Sequence, residues 1–541
     1  MNSATDLTWR DILPFLLLAL ALSAGLHLLA GLLAPAGMAF TGGLVNHADV
    51  SVYLAALRQG AAGEWLYNIQ FAPEPWQPVL MYPLYMALGK LLPAVDGSYR
   101  LVYDLLRVVG VLFAGTAIWI WVREVFPGRK RLQLTGWLLI VFSSGFGWLV
   151  WTLAGAAIDN LFFRLPDVGR SELSFISMTL AAPHFMLGLG LEVFLFICII
   201  RLARPAAERL RVGLKWAIIA LVLALALVFT YVYHLATIGL IIGLYLLQQA
   251  GQRRKIPWRL WLYGAIVLLP LLPFLYYYGF QVNQDPVWAA YLISPEFAIP
   301  APALWALAIG LGLPGLLAIF GTPRWLRDRA EPFVLIWLVG NLLVLYLPTI
   351  EYAGRFLLGL IVPVGTLAAY GLETVLLPWW KANAGQRVSS ASARRIVVWL
   401  VVPGTLFIIL LRLASAVQTP DHPFYIPEAE LAAMHWLSGE LKDDDLVLAH
   451  FPASNYLPAV SPGRVFAGQV YLTPDLPGKL DQLARFWHEE TSATERQAII
   501  DAWSIDYLYY GRYEQEITTG RVNPPGEQIY AGDGVTIYRL P

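Results

Sequence analysis

Residues 396–421 read IVVWLVVPGTLFIILLRLASAVQTPD. From Ile396 to Ala414 the only charge is Arg412, and the run is long enough for a helix to cross a hydrocarbon core of roughly 30 Å. At Thr419-Pro420-Asp421 the character changes abruptly. This junction divides the chain into a membrane-embedded part, residues 1–415, and a last quarter, 416–541, with the composition of a water-soluble domain.

Upstream, ten further apolar blocks of about 17–25 residues occur. They fall near 13–34, 103–124, 133–156, 182–202, 214–230, 234–249, 259–278, 302–321, 332–348 and 356–377. Pro14 to Leu33 is too long for the apolar core of a signal peptide and has only Arg10 before it, so it reads as a retained first span. About eleven membrane helices are expected. Composition agrees: of 541 residues 58% are hydrophobic and 14% charged, against about 25% charged in soluble domains. Mean hydropathy is +0.60. With 37 Lys and Arg against 37 Asp and Glu, nothing points to a nucleic-acid partner. Cys198 is the only cysteine, which rules out an intrachain disulfide.

Orientation follows from the positive charges of the short connectors. Arg123 to Arg131, Arg201 to Lys215, Arg253 to Arg259, Arg324 to Arg329 and Lys381 to Arg395 all fall on one side together with Arg10. That side is expected to be cytoplasmic, at a plasma membrane. An odd number of spans then puts 416–541 outside. There the pattern predicts a small α/β domain: helices over 427–441, 476–490 and 493–503, strands over 445–450 and 507–511, and a hairpin of 528–531 with 535–539.

The connector between the first two spans, 35–102, is far longer than the roughly 15 residues at which structureless loops become uncommon. Two short helices are expected in it, over 48–59 and 83–92. They would lie in the membrane interface with Trp65, Tyr67, Trp76, Tyr82 and Tyr85 at headgroup level. Two acids stand out. Asp49 opens the first helix, and Glu74 sits in the proline-bounded turn Phe71-Ala72-Pro73-Glu74-Pro75-Trp76. Either carboxylate, held against apolar walls, would gain proton affinity and suit a general base. Equally, Asp49 could cap its helix and Glu74 be a solvated loop acid.

The run His47-Ala48-Asp49-Val50-Ser51-Val52-Tyr53-Leu54, with Gly63-Glu64-Trp65 and 71–85, resembles the first external loop of the GT-C glycosyltransferases. The likeness extends to the protein O-mannosyltransferases and the lipid A aminoarabinose transferases. These polytopic enzymes move a sugar from a polyprenyl-phosphate carrier to an acceptor on the outer face. The resemblance implies Asp49 as catalytic base, Glu74 as a second catalytic acid, and Tyr53 near substrate. Val50 stands where many members carry the second of two adjacent acids, so no cofactor is assigned and a divalent metal stays open.

A second stretch, Thr349-Ile350-Glu351-Tyr352-Ala353-Gly354-Arg355-Phe356, is similar to the family's late arginine ahead of an apolar helix. The resemblance gives Arg355, with Tyr352 beside it, to the carrier phosphate. A guanidinium offers forked donors to such a group and can stabilise it as it leaves; as an interfacial anchor it would simply snorkel. Ionisable groups inside spans carry a functional default. His184 and His234 are candidates for carrier or acceptor binding, and Glu192 has no partner legible in the sequence. Asp159, Arg164, Asp167 and Arg170 read as a self-neutralised polar loop.

No zinc spacing, P-loop or dinucleotide fingerprint occurs, which argues against an ATP-driven pump or a nucleotide-sugar enzyme. The expected function is transfer of a sugar from a polyprenyl-phosphate donor to a glycan, lipid or protein acceptor at the bilayer's outer face. The alternative is a transporter or flippase of lipid-linked glycans.

Overall fold

The computed structural model describes residues 6–92, 98–155, 157–292, 298–347, 351–383 and 389–541. Thr349 and Ile350, beside the Arg355 loop, and Arg387 in the last basic connector lie outside them. The protein is a polytopic α-helical membrane protein. Ten helices among the described residues are long and apolar enough to cross a membrane: Trp9–Leu32, Tyr99–Val125, Lys130–Ala154, Pro183–Leu202, Leu210–Thr230, His234–Arg253, Trp258–Gln284, Leu304–Arg327, Ala353–Asn383 and Ala391–Gln418. The remaining expected span, 332–348, is the apolar helix Phe333–Tyr346. Its 14 residues rise about 21 Å, short of a full hydrocarbon core. The expected spans 214–230 and 234–249 lengthen to Leu210–Thr230 and His234–Arg253, and only Tyr231–Tyr233 part them.

By its internal contacts the chain divides into two units. The first comprises Met1–Leu26, Asp104–Phe280 and Ile299–Leu413. Its basic connectors meet at one end. Arg201 and Arg204 reach Glu124 at 2.6 and 2.5 Å, Arg253 donates to the Ala203 carbonyl at 2.7 Å, and Lys130 pairs with Asp11 at 2.7 Å. Arg201, Arg204 and Arg253 thereby gather at the C-terminal ends of helices, where positive charge is favoured, whereas Lys130 answers an acid in the first turn of another helix.

The second unit comprises His27–Tyr103, Gln281–Ala298 and Ala414–Pro541. Its sheet has five strands in the spatial order Arg464–Val465, Leu446–Leu448, Tyr507–Tyr510, Val535–Arg539, Glu527–Gly532. The first three run parallel and the hairpin antiparallel. Leu446, Leu448, Phe466, Leu483, Phe486, Trp487 and Leu508 form its core. The expected helix 493–503 is Ala493–Trp503, opened by the capping box of Ser492 and Glu495. The 476–490 helix stops at Phe486, and the 427–441 helix shortens to Glu428–Leu437 behind a strand, Tyr425–Pro427, paired with Met38–Phe40. The helix Phe451–Val460 was not expected.

The long first loop departs most from its reading. Its helix His47–Ala61 is buried continuously from Val50 to Gly60 instead of lying half in lipid. Tyr67, Trp76 and Tyr85 are buried too, and of the expected interfacial aromatics only Trp65 is exposed. The reason is residue size. A Cβ at Gly60 would stand 2.1 Å from the Met86 carbonyl oxygen, and one at Gly89 2.1 Å from that of Leu57. The glycines let this helix cross Pro83–Gly89 backbone to backbone, while Phe451–Val460 covers another side. Backbone bonds from Val465 to Gln70 and from Gly468 to Phe71 then fasten the loop to the C-terminal segment.

Candidate functional site

In the second unit Asn46, in the left-handed region at φ 52°, turns the chain into the helix that carries Asp49 in its first turn. A carboxylate there is favoured by the helix dipole. Asp49 is half-buried, and its Oδ1 accepts the Gln469 side-chain amide at 2.9 Å. Tyr53, one turn on, faces inward. It stacks on Tyr85 at 4.9 Å and Tyr103 at 6.1 Å and meets Tyr82 edge-on at 5.5 Å. Burial first, and the neighbouring Asp49 carboxylate second, push the Tyr53 phenol well above its ordinary range, so it is a neutral phenol at any working pH.

Glu74 is engaged differently. Its Oε1 pairs with Lys479 Nζ at 2.5 Å, and that ammonium, 2% exposed, also donates to the Pro474 carbonyl at 2.9 Å. Burial pulls the Lys479 ammonium below its ordinary value, and Glu74 pulls it back. With Arg464 donating to the Pro73 carbonyl at 2.9 Å, the proline turn is clamped to the C-terminal segment.

In the first unit three candidate residues meet Tyr231, and a fourth, Tyr352, reaches it through Tyr233. The Tyr231 ring lies 6.2 Å from His184 and 5.1 Å from His234, and its hydroxyl donates to the Arg355 carbonyl at 3.1 Å. Tyr233 lies 5.4 Å from Tyr231 and 5.4 Å from Tyr352, which completes an aromatic wall. His234 and Glu192 answer each other, Nδ1 to Oε1 at 3.3 Å, both fully buried. Glu192 thereby gains the partner the sequence withheld. Its Oε2 lies against Gly359, whose φ of +88° and missing Cβ admit both the turn and the carboxylate.

Arg355 Nη1 donates to Glu172 Oε1 at 2.7 Å, with side chains 18% and 4% exposed. Arg170 comes to the same place: a Cβ on Gly354 would meet its Nη1 at 2.0 Å, so only glycine leaves room. Burial lowers the proton affinity of Arg170, Arg355 adds to that lowering, and Glu172 opposes it. Two guanidiniums therefore stand near one carboxylate, and the ion pair is made by Arg355. Arg170 Nη1 and Arg355 Nε are buried donors with no hydrogen-bond partner among the described residues. Ile299 holds the loop from behind, donating to Glu351 and accepting from Gly354 at 2.6 and 2.7 Å.

Asp167, by contrast, is structural. Its Oδ2 accepts the Gly147 N–H at 2.9 Å, capping the helix Gly147–Ala154, and burial pushes its carboxyl up to about 7. Sequence reasoning thus missed Glu172, the part played by Arg170, Tyr231 as a hub, and Gln469. The one legible hint was Arg170, read as part of a self-neutralised polar loop with Asp159, Arg164 and Asp167.

No protein-family model matches the sequence, and no curated protein matches it. Among solved structures the chain is similar to the Archaeoglobus fulgidus oligosaccharyltransferase tethered with an acceptor peptide containing the NVT sequon. That pair is 12% identical with a TM-score of 0.53, over 93% of this chain and 69% of that one. It is similar to ArnT from Cupriavidus metallidurans in the apo state, at 13% identity and a TM-score of 0.52, over 97% of each chain. It is also similar to the arabinofuranosyltransferase AftD from Mycobacteria, at 15% and 0.51, over 99% of this chain and 40% of that one. The likeness is one of fold: this chain has the fold of the GT-C membrane glycosyltransferases.

Proposed function

We propose that this protein is a membrane glycosyltransferase that moves a sugar from a polyprenyl-phosphate carrier to a hydroxyl acceptor on the outer face of the membrane. The observation that carries it is the pair of guanidiniums, Arg355 and Arg170, brought together at Gly354 near Glu172, which pairs with Arg355, while each guanidinium keeps a buried donor with no hydrogen-bond partner among the described residues. Such a place has one positive charge in excess and forked donors in fixed positions, which suits a phosphate. The basic connectors at the other end of the first unit fit an orientation with N-terminus cytoplasmic and the C-terminal domain outside.

In this reading Asp49 takes the proton of the acceptor hydroxyl. The acceptor oxygen attacks the anomeric carbon, the bond from that carbon to the carrier phosphate breaks, and the phosphate leaves with the electron pair. Arg355 and Arg170 balance its charge, so no separate acid is required. The configuration inverts. His184 and Tyr352 line the aromatic side, His234 braces it through Glu192, and Tyr53 supports the Asp49 helix from within. Glu74, already paired with Lys479, holds the loop. Among the described residues no group of three or more His, Cys, Asp or Glu is placed to hold a metal ion, and Val50 supplies no second carboxylate beside Asp49, so no step is routed through one.

The test is purified protein assayed with a panel of polyprenyl-phosphate sugars and hydroxyl acceptors, beside Asp49→Asn. Transfer that Asp49→Asn abolishes supports the reading. Robust transfer in that variant removes the base assignment. No turnover with any donor, together with movement of lipid-linked glycans across liposomes, would make the protein a flippase.

A further inference from the structure

We propose that Gln469, from the C-terminal segment, is a positioning residue that aims the Asp49 carboxylate and holds it ionised, so that this segment completes the base site. The inference rests on the reading of Asp49 as the base.

An amide side chain can usually be turned either way round. Here the backbone decides. Gln469 Oε1 accepts the N–H groups of Tyr471 and Leu472 at 2.5 and 2.8 Å. Both are donors only, so the oxygen must face them and the nitrogen must face Asp49 Oδ1, 2.9 Å away. Gln469 is 1% exposed and so has little freedom to lose. Its turn is fixed in its own right: Thr473 Oγ1 accepts the Gly468 and Gln469 N–H groups at 3.2 and 3.1 Å and donates to the Phe71 carbonyl at 2.8 Å. Asn455 sets the register. It donates to the carbonyls of Ala48 at 3.3 Å and Gly468 at 2.8 Å, and accepts from Ser51 Oγ at 3.2 Å.

The chemistry of the partner matters as much as its aim. A cation at this distance would lower the proton affinity of the carboxylate and spoil it as a base, as an opposite charge does generally. A neutral amide donor orients the oxygen it meets and favours the charged form more gently than a cation would. Asn455 and Gln469, which the C-terminal segment places against this turn, do not titrate. The titratable neighbours on its own helix are His47, whose Nδ1 accepts the Ala48 N–H at 3.1 Å, and the buried Tyr53.

Gln469→Glu separates aim from bracing. It keeps the size and the acceptor for Tyr471 and Leu472 but turns an oxygen instead of a donor toward Asp49. Two readouts are needed: the pH profile of transfer, and the pH dependence of carbodiimide-driven amine labelling of Asp49, read by peptide mass spectrometry without turnover. Gln469→Glu is expected to lower kcat roughly tenfold at neutral pH, the scale of one hydrogen bond to a charged group. The acidic limb and the labelling midpoint should move to higher pH together. Gln469→Leu should lose a similar factor with a smaller movement. A Gln469→Glu protein with the wild-type profile and labelling would overturn the proposal and leave Gln469 a brace for its turn. A moved labelling midpoint in a protein that transfers no sugar would instead overturn the base reading, and with it the catalytic half of this one.

Discussion

Asp49 and Arg355 are the two charged groups on which the proposed chemistry depends, and their surroundings are built on opposite plans. Asp49 is half-buried at the start of a helix and is met by a neutral amide. Arg355 sits deeper and is met by a full carboxylate, with a second guanidinium close by. A base must stay ionised yet be free to accept a proton, which neutral donors and partial hydration allow. A phosphate receptor must keep its positive charge in apolar surroundings until the ligand comes, which a counter-ion secures. Glu74 shows the third arrangement, a carboxylate matched one-to-one with Lys479, and that is the form of a fastening.

The largest effect should come from the base. Asp49→Asn is expected to lower kcat by about 10²–10⁴, the range for removing a general base, with little change in KM for the donor. Glu74→Gln should cost less than about tenfold, because it loosens a clamp and touches no proton in the reaction. Initial rates of sugar transfer measure both. Equal losses would break the distinction drawn between the two carboxylates.

Arg355→Ala comes next, with an expected loss of roughly 100-fold in kcat/KM from a forked, charge-assisted contact. Arg355→Lys should recover only part of it, since an ammonium cannot reproduce the fork. Full recovery by lysine would mean that Arg355 supplies charge alone.

Glu172→Gln tests the counter-ion directly. It leaves two guanidiniums facing each other, and breaking a buried pair from one side costs about 3 kcal/mol. The apparent Tm in detergent should fall. Inorganic phosphate should raise it more in the variant than in the wild type, because a ligand that binds only the folded state stabilises it by mass action. A fall in Tm that phosphate does not reverse would show that Glu172 pairs with Arg355 for structure alone.

Much of this plan was legible in the sequence, and the rest was not, for one reason. Membrane helices announce themselves locally, because a bilayer demands a long and predominantly apolar run such as 183–202 whatever the tertiary context. The regular parts of the C-terminal segment did so too, through the helical pattern of 493–503 and the hairpin of 528–531 with 535–539. Asp49, His234 and Arg355 stood out as charges at the borders of apolar blocks. Their partners did not, since Gln469 lies 420 residues from Asp49 and Glu172 lies 183 from Arg355. The helix Phe451–Val460 was hidden by Pro452 and Pro458, which read as loop. Pro452 falls in the first turn, where a missing N–H costs nothing. The carbonyl of Pro458 accepts Arg58 Nε at 3.2 Å, and the rest is buried by the first-loop helix.

The smallest effect sharpens the point about Asp49. Glu514, in the same unit, is also held by neutral donors: it accepts the N–H groups of His450 and, at 2.9 Å, Gly511. Unlike Asp49 it is fully buried and faces Glu430, whose carboxylate accepts Tyr509 at 2.6 Å. Burial, and then the charge of Glu430, push the Glu514 carboxyl up to about 8. Burial raises Glu430 as well, against the bonds from Tyr509 and Arg512. Between the unfolded value near 4.5 and this folded value the native chain binds more protons than the unfolded one, so stability must fall as pH rises through that window. The stabilising contribution is whole below about pH 4.5 and gone above about pH 8. Tm followed by intrinsic fluorescence from pH 5 to 8.5 should therefore decline by a few degrees, and Glu514→Gln should flatten the decline. If the wild-type Tm were level across that range, neutral donors alone would be keeping a buried carboxylate ionised. Hydration would then not be what distinguishes Asp49, and its partial exposure would need another explanation.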